Sequence, residues 1–376
     1  MKKISSSIAN FIKKELVLSI AILLTIITCF FVPPDKNYID YFDFTTLATL
    51  FSMLAVVAGL KKTNIFELIS RKLIMKFHTR KSIILVLVFG TFFFDMIVAN
   101  DMSLITFLPL TYIVLHSTGN DKYLAFTFIM QTIAANMGGM ITPYGNPQNL
   151  YLYSYYNINT FEFFSILFFY TIVVAFLLLI CISFIKNENL ELKEKENFTI
   201  DRKKLTIYSI LFIIVILSIF RIIPTYIMLI TCIITFLLTD FKILYKVDYA
   251  LLATFFVFFI FSGNMARIDI IKDFFSEIVN KNTLVTGILS CQLISNVPTA
   301  IFLSKFTNNY KDLLISVNIG SLGILISSLA SLITLKEFLK HMPKKFKEYI
   351  LLFTLFNTLF LFALLLLNYI TKYISI

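Results

Sequence analysis

Asp95 and Asp101 are acidic residues inside otherwise apolar sequence, six positions apart. An ionised carboxylate is costly in apolar surroundings, so the default reading is functional: binding or coupling a proton or a hard cation. Two bland readings stand beside it. Asp101 could N-cap a helix beginning at Met102, and Asp95 could pair with Lys122 or a water. Asn100 lies beside Asp101, and a second amide, Asn296, sits in Ser295-Asn296-Val297-Pro298. Each Asn offers both an oxygen and an N–H₂, or could simply satisfy the backbone of its own turn. Between Ala135 and Asn149, three glycines and two prolines rule out an unbroken helix. The freed carbonyls can then face a partner in a polar cavity. Asn318 to Gly323, followed by Ser327, Ser328 and Ser331, repeats that character. Gly138, Gly139, Gly320 and Gly323 could equally serve close helix packing.

Catalytic and metal chemistry find little support. His78, His116 and His341 never cluster, and Cys29, Cys181, Cys232 and Cys291 all lie in apolar segments. These cysteines read as small buried hydrophobes rather than disulfides or ligands. Asp95 and Asp101 do not have the three- or four-residue spacing of helical neighbours, which argues against an aspartyl dyad and an intramembrane enzyme. No cofactor is implied, except for possible sodium ions.

The elements that must position these groups follow from composition. Of 376 residues 58% are hydrophobic and only 15% charged, against roughly a quarter charged in soluble domains. Apolar runs recur from Leu16 to Ile370, which predicts an all-α polytopic membrane protein lying in a lipid bilayer. The net charge of +11 does not imply nucleic acid, because the charges fall in the gaps between runs.

Spans are expected at residues 16–32, 44–60, 122–151, 161–185, 205–221, 223–239, 249–263, 310–335 and 349–370, about nine in all. Lys2, Lys3, Lys13 and Lys14 precede the first, which ends without a signal-peptide cleavage pattern. With the N-terminus cytoplasmic and the C-terminus outside, 25 of the 33 Lys and Arg fall on the cytoplasmic side. An amphipathic surface helix is read over 63–81 and a charged cytoplasmic linker over 186–204. Tyr38, Tyr41, Tyr151, Tyr153, Tyr155, Tyr156, Tyr369 and Tyr373 are placed in an outer interfacial belt. Arg221 and Arg267 read as solvated or lipid-facing at the outer mouth.

Two stretches, 84–115 and 283–304, are interrupted near their centres. The arms of the first reach only about 21 to 24 Å, short of a roughly 30 Å hydrocarbon core. Re-entrant helical hairpins, each with a polar tip, are therefore expected. Each is followed by an interrupted helix, 122–151 and 310–335. The chain then divides into a first repeat (1–185), a linker and linker helix (186–221) and a second, inverted repeat (222–376). This pattern points to a secondary transporter with its site at the midplane, and against a channel. No Lys or Arg is expected there, so an anion would rely on backbone N–H groups and positive helix ends.

Ala99-Asn-Asp-Met-Ser-Leu-Ile-Thr-Phe-Leu-Pro-Leu, Gly145-Asn-Pro-Gln-Asn and Ser295-Asn-Val-Pro-Thr-Ala resemble the citrate-transporter-like and arsenite-pump branch of the ion transporter superfamily. That group includes the divalent anion:sodium symporters. The resemblance covers nearly the whole chain. It implies inverted repeats, a homodimer, and an elevator-like motion of a transport domain against a scaffold. The symporters carry Ser-Asn-Thr at both tips, whereas this chain has Ala99-Asn100-Asp101 and Ser295-Asn296-Val297. Cation and substrate roles carry over to Asn100 and Asn296. The candidate substrate-facing set is Asn100, Asp101, Asn146, Pro147, Asn149, Ser295, Asn296 and Thr299. The candidate cation or coupling set is Asp95, Asn100, Asp101, Asn136, Gly139, Asn296, Asn318 and Gly320. The expected activity is coupled transport of a small anion of citrate or dicarboxylate type in the inner membrane. Sodium/proton antiport or arsenite efflux is the alternative.

Overall fold

The computed structural model describes residues 15–190 and 199–374. Lys2, Lys3, Lys13, Lys14 and linker residues 191–198 lie outside them. The described residues form helices α1 (Leu16–Phe31), α2 (Phe44–Lys62), α3 (Ile65–Ile74), α4 (Arg80–Asp95), α5 (Asn100–Ser117), α6 (Leu124–Gly138), α7 (Pro147–Tyr155) and α8 (Thr160–Ser183). After the linker come α9 (Arg202–Ile219), α10 (Thr225–Thr239), α11 (Tyr249–Arg267), α12 (Asp269–Lys281), α13 (Thr283–Ile294) and α14 (Asn296–Leu303). The last three are α15 (Tyr310–Ile319), α16 (Leu329–His341) and α17 (Phe346–Ile374). Short 3₁₀ turns fill several corners, and no strand occurs among the described residues.

Many of these helices start where a short polar side chain can accept from an orphan amide. Asp43, Asp201, Asp248, Asn282 and Asn309 each accept from the N–H three residues on, at 2.9 to 3.3 Å. Three of the helices that start at chain interruptions differ. The positions before α5, α7 and α14, namely Ala99, Asn146 and Ser295, provide no side-chain cap.

The polarity is inside out. Leu238, Phe161 and Leu351 are largely exposed on α10, α8 and α17, while Gln131, Asn149, Asn264 and Asn318 are fully buried. In water such a surface would be untenable; in a bilayer it is the favourable one. Five helical stretches are long and apolar enough to cross a membrane: Phe44–Lys62, Asp121–Ile141, Thr160–Ser183, Tyr249–Arg267 and Pro343–Lys372. Val17–Phe31 and Thr225–Thr239 are shorter apolar helices. The chain is thus an all-α polytopic membrane protein. α4 packs on α5 and α6, and α13 on α14 and α15; α16 lies on α5 and α6, and α7 on α14. α1 packs on α11, and α2 against α9 and α10.

Several expectations are revised. The amphipathic helix spans only Ile65–Ile74, and buries Phe66, Ser70 and Ile74 while Ile69 and Leu73 stay exposed. A second amphipathic helix, α12, was not anticipated. Its Ile270 and Phe274 are exposed beside Lys272, Asp273 and Glu277, and only Val279 is fully buried. Tyr151 and Tyr153 are not interfacial but buried, their hydroxyls bonded to Ser304 and Thr160. Arg221 and Arg267 are engaged, not merely solvated. Arg267 pairs with Asp35 at 2.7 Å, and Arg221 donates to the carbonyls of Tyr153 and Ile158 at 2.8 and 3.0 Å.

Arg80, the first residue of α4, is only 1% exposed. It donates to Asn120 Oδ1, to Glu188 Oε2 and to the Lys186 carbonyl, and lies over the Tyr123 ring. Its own N–H reaches the Glu188 carbonyl, fastening the start of the linker to the base of α4. Arg80→Met removes these bonds and strands the buried Asn120 oxygen, so the thermal midpoint should fall by about 5 °C. The Arg80 guanidinium holds Glu188 below its usual value of 4.5. That contribution is present at neutral pH and is lost as the pH falls through the lowered value. The gap between wild type and variant in melting curves should therefore narrow on acidification.

Candidate functional site

Asp95 is the last residue of α4 and is fully buried. Its Oδ1 accepts from Ser103 Oγ at 2.8 Å, one turn into α5. It does not reach Lys122, whose ammonium lies over the Tyr123 ring. Oδ2 has no hydrogen-bond partner among the described residues; the Gly139 N–H lies close by but donates to the Ala135 carbonyl. Met96–Ala99 form the turn, and α5 starts at Asn100. Asp101 is therefore in the first turn rather than at the cap position. Asn100 Oδ1 accepts from the Asp101 N–H at 2.9 Å. Thr142 Oγ1 donates to the Met96 carbonyl, fastening this tip to the break beyond α6.

That break runs from the 3₁₀ turn Gly139–Ile141 to Asn146. Gly139 has ordinary right-handed backbone angles, so glycine is needed for space. A Cβ there would overlap Asp95 Oδ2 and stand 2.9 Å from Asn146 Oδ1 and 3.1 Å from the Gly145 carbonyl oxygen. Asn146 Nδ2 donates to the Asn136 carbonyl at 3.0 Å, while its Oδ1 is buried without a partner. Two unpartnered side-chain oxygens thus face the same glycine. Buried acceptors without donors cost free energy. Hard oxygens of this type suit a proton or an alkali cation.

The second break joins the first. Asn318 Nδ2 donates to Asn149 Oδ1 at 2.7 Å, and Asn136 Oδ1 accepts from Ser328 Oγ at 2.8 Å. Thr132 and Thr334 hydroxyls meet at 2.8 Å. From Asn318 a chain of serines continues: Ser321 Oγ to the Asn318 carbonyl, Ser327 Oγ to the Ser321 carbonyl, and Ser295 Oγ towards the Ser327 carbonyl. Ser295 alone interrupts α13 and α14, with a left-handed φ of +73°. Such a φ in a non-glycine residue is strained and needs support from its surroundings. Asn296 Oδ1 accepts from the Val297 N–H at 2.9 Å, matching Asn100, and Thr299 Oγ1 donates to the Ser295 carbonyl.

The structure therefore links Asn136, Asn146, Asn149, Asn318, Ser295, Asn296 and Thr299 by hydrogen bonds, with Asp95 against Gly139. It leaves others apart. No hydrogen bond joins Asn100 to Asn296. Pro147 occupies the first position of α7 and is buried, a position its fixed φ suits. Gly320 abuts Cys291 and the Ser316 carbonyl, serving close packing. Sequence reading gave no role to Ser103, Thr142 and Gln292, and named Ser328 only as part of the polar second break. Gln292 donates to the carbonyls of Gly320 and Leu322 and accepts from the Ile324 N–H, holding the second break. A polar residue within an apolar arm was the available signal for Ser103 and Gln292. Among the described residues no group of three or more His, Cys, Asp or Glu could hold a metal.

A polar network enclosed by apolar membrane helices, built on interrupted chain, defines a membrane transport protein. The citrate transporter family matches residues 8–311, and the chain belongs to that family. It is 33% identical over 296 residues to an uncharacterized transporter of Methanocaldococcus jannaschii, covering 78% of this chain and 81% of that protein. It is also 25% identical over 321 residues to the inner membrane protein YbiR of Escherichia coli, covering 84% and 86%. The chain is accordingly an integral membrane transporter of a small substrate, not an enzyme.

Proposed function

We propose that the chain is a secondary carrier that couples movement of a small carboxylate-type anion to sodium or protons. The observation that carries this reading is the pair of buried, unpartnered oxygens, Asp95 Oδ2 and Asn146 Oδ1, facing Gly139. They are the coupling-ion ligands. The first amides of α5, α7 and α14, those of Asn100, Gln148 and Asn296, supply N–H groups for the anion. Inverted repeats are supported by element order: two spans, an amphipathic helix, a helical hairpin, a broken helix and a span occur on either side of α9. Bonds across the two breaks favour an elevator-like motion in which both move as one body. A homodimer with a cytoplasmic N-terminus and an outer C-terminus, in the inner membrane, completes the reading.

A second reading, sodium/proton antiport or arsenite efflux, draws on the charge of the site. Among the described residues no Lys or Arg hydrogen-bonds to these groups, so a cation or a neutral species could be the whole cargo. Proteoliposome flux with citrate, succinate and arsenite under sodium or pH gradients separates the two. Sodium- or proton-dependent carboxylate uptake, abolished by Asn100→Ala, Asp101→Ala or Asn296→Ala without loss of fold, is expected. Normal transport in all three variants rejects the site; proton flux on adding sodium without anion uptake selects antiport.

A further inference from the structure

At the end of α2 opposite Lys61 and Lys62, a cavity of about 250 Å³ opens between the start of α2, the end of α7 and the α9–α10 corner. Arg221 is the one charged residue lining it among the described residues. Arg80 and Arg267 each have a carboxylate partner, but Arg221 has none among the described residues. Its guanidinium is instead fixed by two carbonyls and by the face of Tyr153, 4.4 Å away. Two of its five N–H groups are taken up in this way.

The remaining walls supply donors. Pro224 precedes α10 and offers no side-chain cap, and the first bonds back to its carbonyl come from Ile227 and Met228. The amides of Thr225 and Tyr226 are thus left at the positive end of a 15-residue helix. Ser218, on the same wall, is 5% exposed, and its Oγ is buried without a partner among the described residues. Neither Asp40 nor Asp43 lines this cavity, and the two oxygens of Asp43 accept from the Thr46 N–H and Oγ1.

We propose that this cavity is a binding site for a small oxyanion, a carboxylate or phosphate group held by Arg221, the α10 amides and the Ser218 hydroxyl. It shares no residue with the hairpin tips or the chain breaks, so it does not depend on the carrier reading. Either a free anion or the phosphate of a lipid headgroup could supply the chemistry.

Purified full-length protein in detergent, titrated with inorganic phosphate or citrate and followed by calorimetry, tests the site. Binding should weaken at least tenfold in Arg221→Gln. Because Arg221 also braces the end of α7, Thr45→Asp gives an independent variant. Thr45 is exposed at the first turn of α2, where an acidic residue suits the helix, and the new carboxylate should repel the ligand to a similar extent. Asn296→Ala should lose transport yet bind phosphate here as the wild type does, which separates this site from the carrier reading. In nanodiscs, Arg221-dependent competition by phosphatidylglycerol assigns the site to lipid headgroups, and its absence assigns it to free anions. Absence of phosphate and citrate binding in the wild type, or unchanged binding in both Arg221→Gln and Thr45→Asp, overturns the proposal.

Discussion

Asp95→Ala is expected to lower ion-coupled flux at least 100-fold while leaving the protein folded. The carboxylate is fully buried at the end of α4, and it spends one oxygen on Ser103 and leaves the other without a donor. An unpartnered buried oxygen costs about 1–3 kcal/mol, so its loss should leave stability unchanged or slightly raised. Function should suffer because a cation or proton bound here loses its charged ligand, and a hundredfold loss corresponds to about 2.7 kcal/mol. Asp95→Asn refines the test. It preserves shape and the Ser103 contact but removes the charge. Flux restored by Asn would assign Asp95 a hydrogen-bonding role; flux absent in both variants, with normal melting curves, assigns it the charge. Wild-type rates in Asp95→Ala would reject the coupling role.

Gly139→Ala should be nearly as damaging, for a different reason. Alanine suits the backbone angles at this position. The added methyl, however, would enter the space between Asp95 Oδ2, Asn146 Oδ1 and the Gly145 carbonyl, the last of which is main chain and cannot swing aside. Overpacking of this kind costs about 1–3 kcal/mol, and the oxygens it pushes apart are the proposed ligands. A loss of flux of at least about 50-fold with weakened sodium or pH dependence is expected. Gly320→Ala is the control. It crowds Cys291 and the Ser316 carbonyl, at a packing contact between α13 and α15. It should lower the melting temperature without changing ion dependence. Equal effects on coupling would reject the distinction.

Much of the architecture was legible because a bilayer imposes a coarse and strong rule on composition. Runs without charge had to be helices, and Gly138, Gly139, Pro143 and Pro147 together had to break one. The inward position of Asn136, Asn149 and Asn318 was legible from the cost of amides in apolar runs. Their partners were not. That Asn149 meets Asn318, 169 residues on, depends on how two broken helices cross, and a single chain read by periodicity carries no record of that. Boundaries failed for local reasons. Asn100 looked like a turn residue, but its side chain reaches the next amide while its backbone is already helical. Tyr151 and Tyr153 were assigned to the interface by type, although α7 lies against α14 and turns both inward. Arg221 was assigned to solvent, and the carbonyls at the end of α7 that claim it come from 60 or more residues earlier.

The bonds that stitch Asn149 to Asn318, Asn136 to Ser328 and Thr132 to Thr334 also bear on how the protein is made. When α6 and α7 leave the ribosome, the groups that will satisfy them are still untranslated. The nascent first half must therefore hold the Asn136 and Asn149 side-chain oxygens without these donors, or wait at the insertion machinery, until α15 and α16 arrive. A chain truncated after α9 should be a substrate for membrane quality control, not a stable half-transporter.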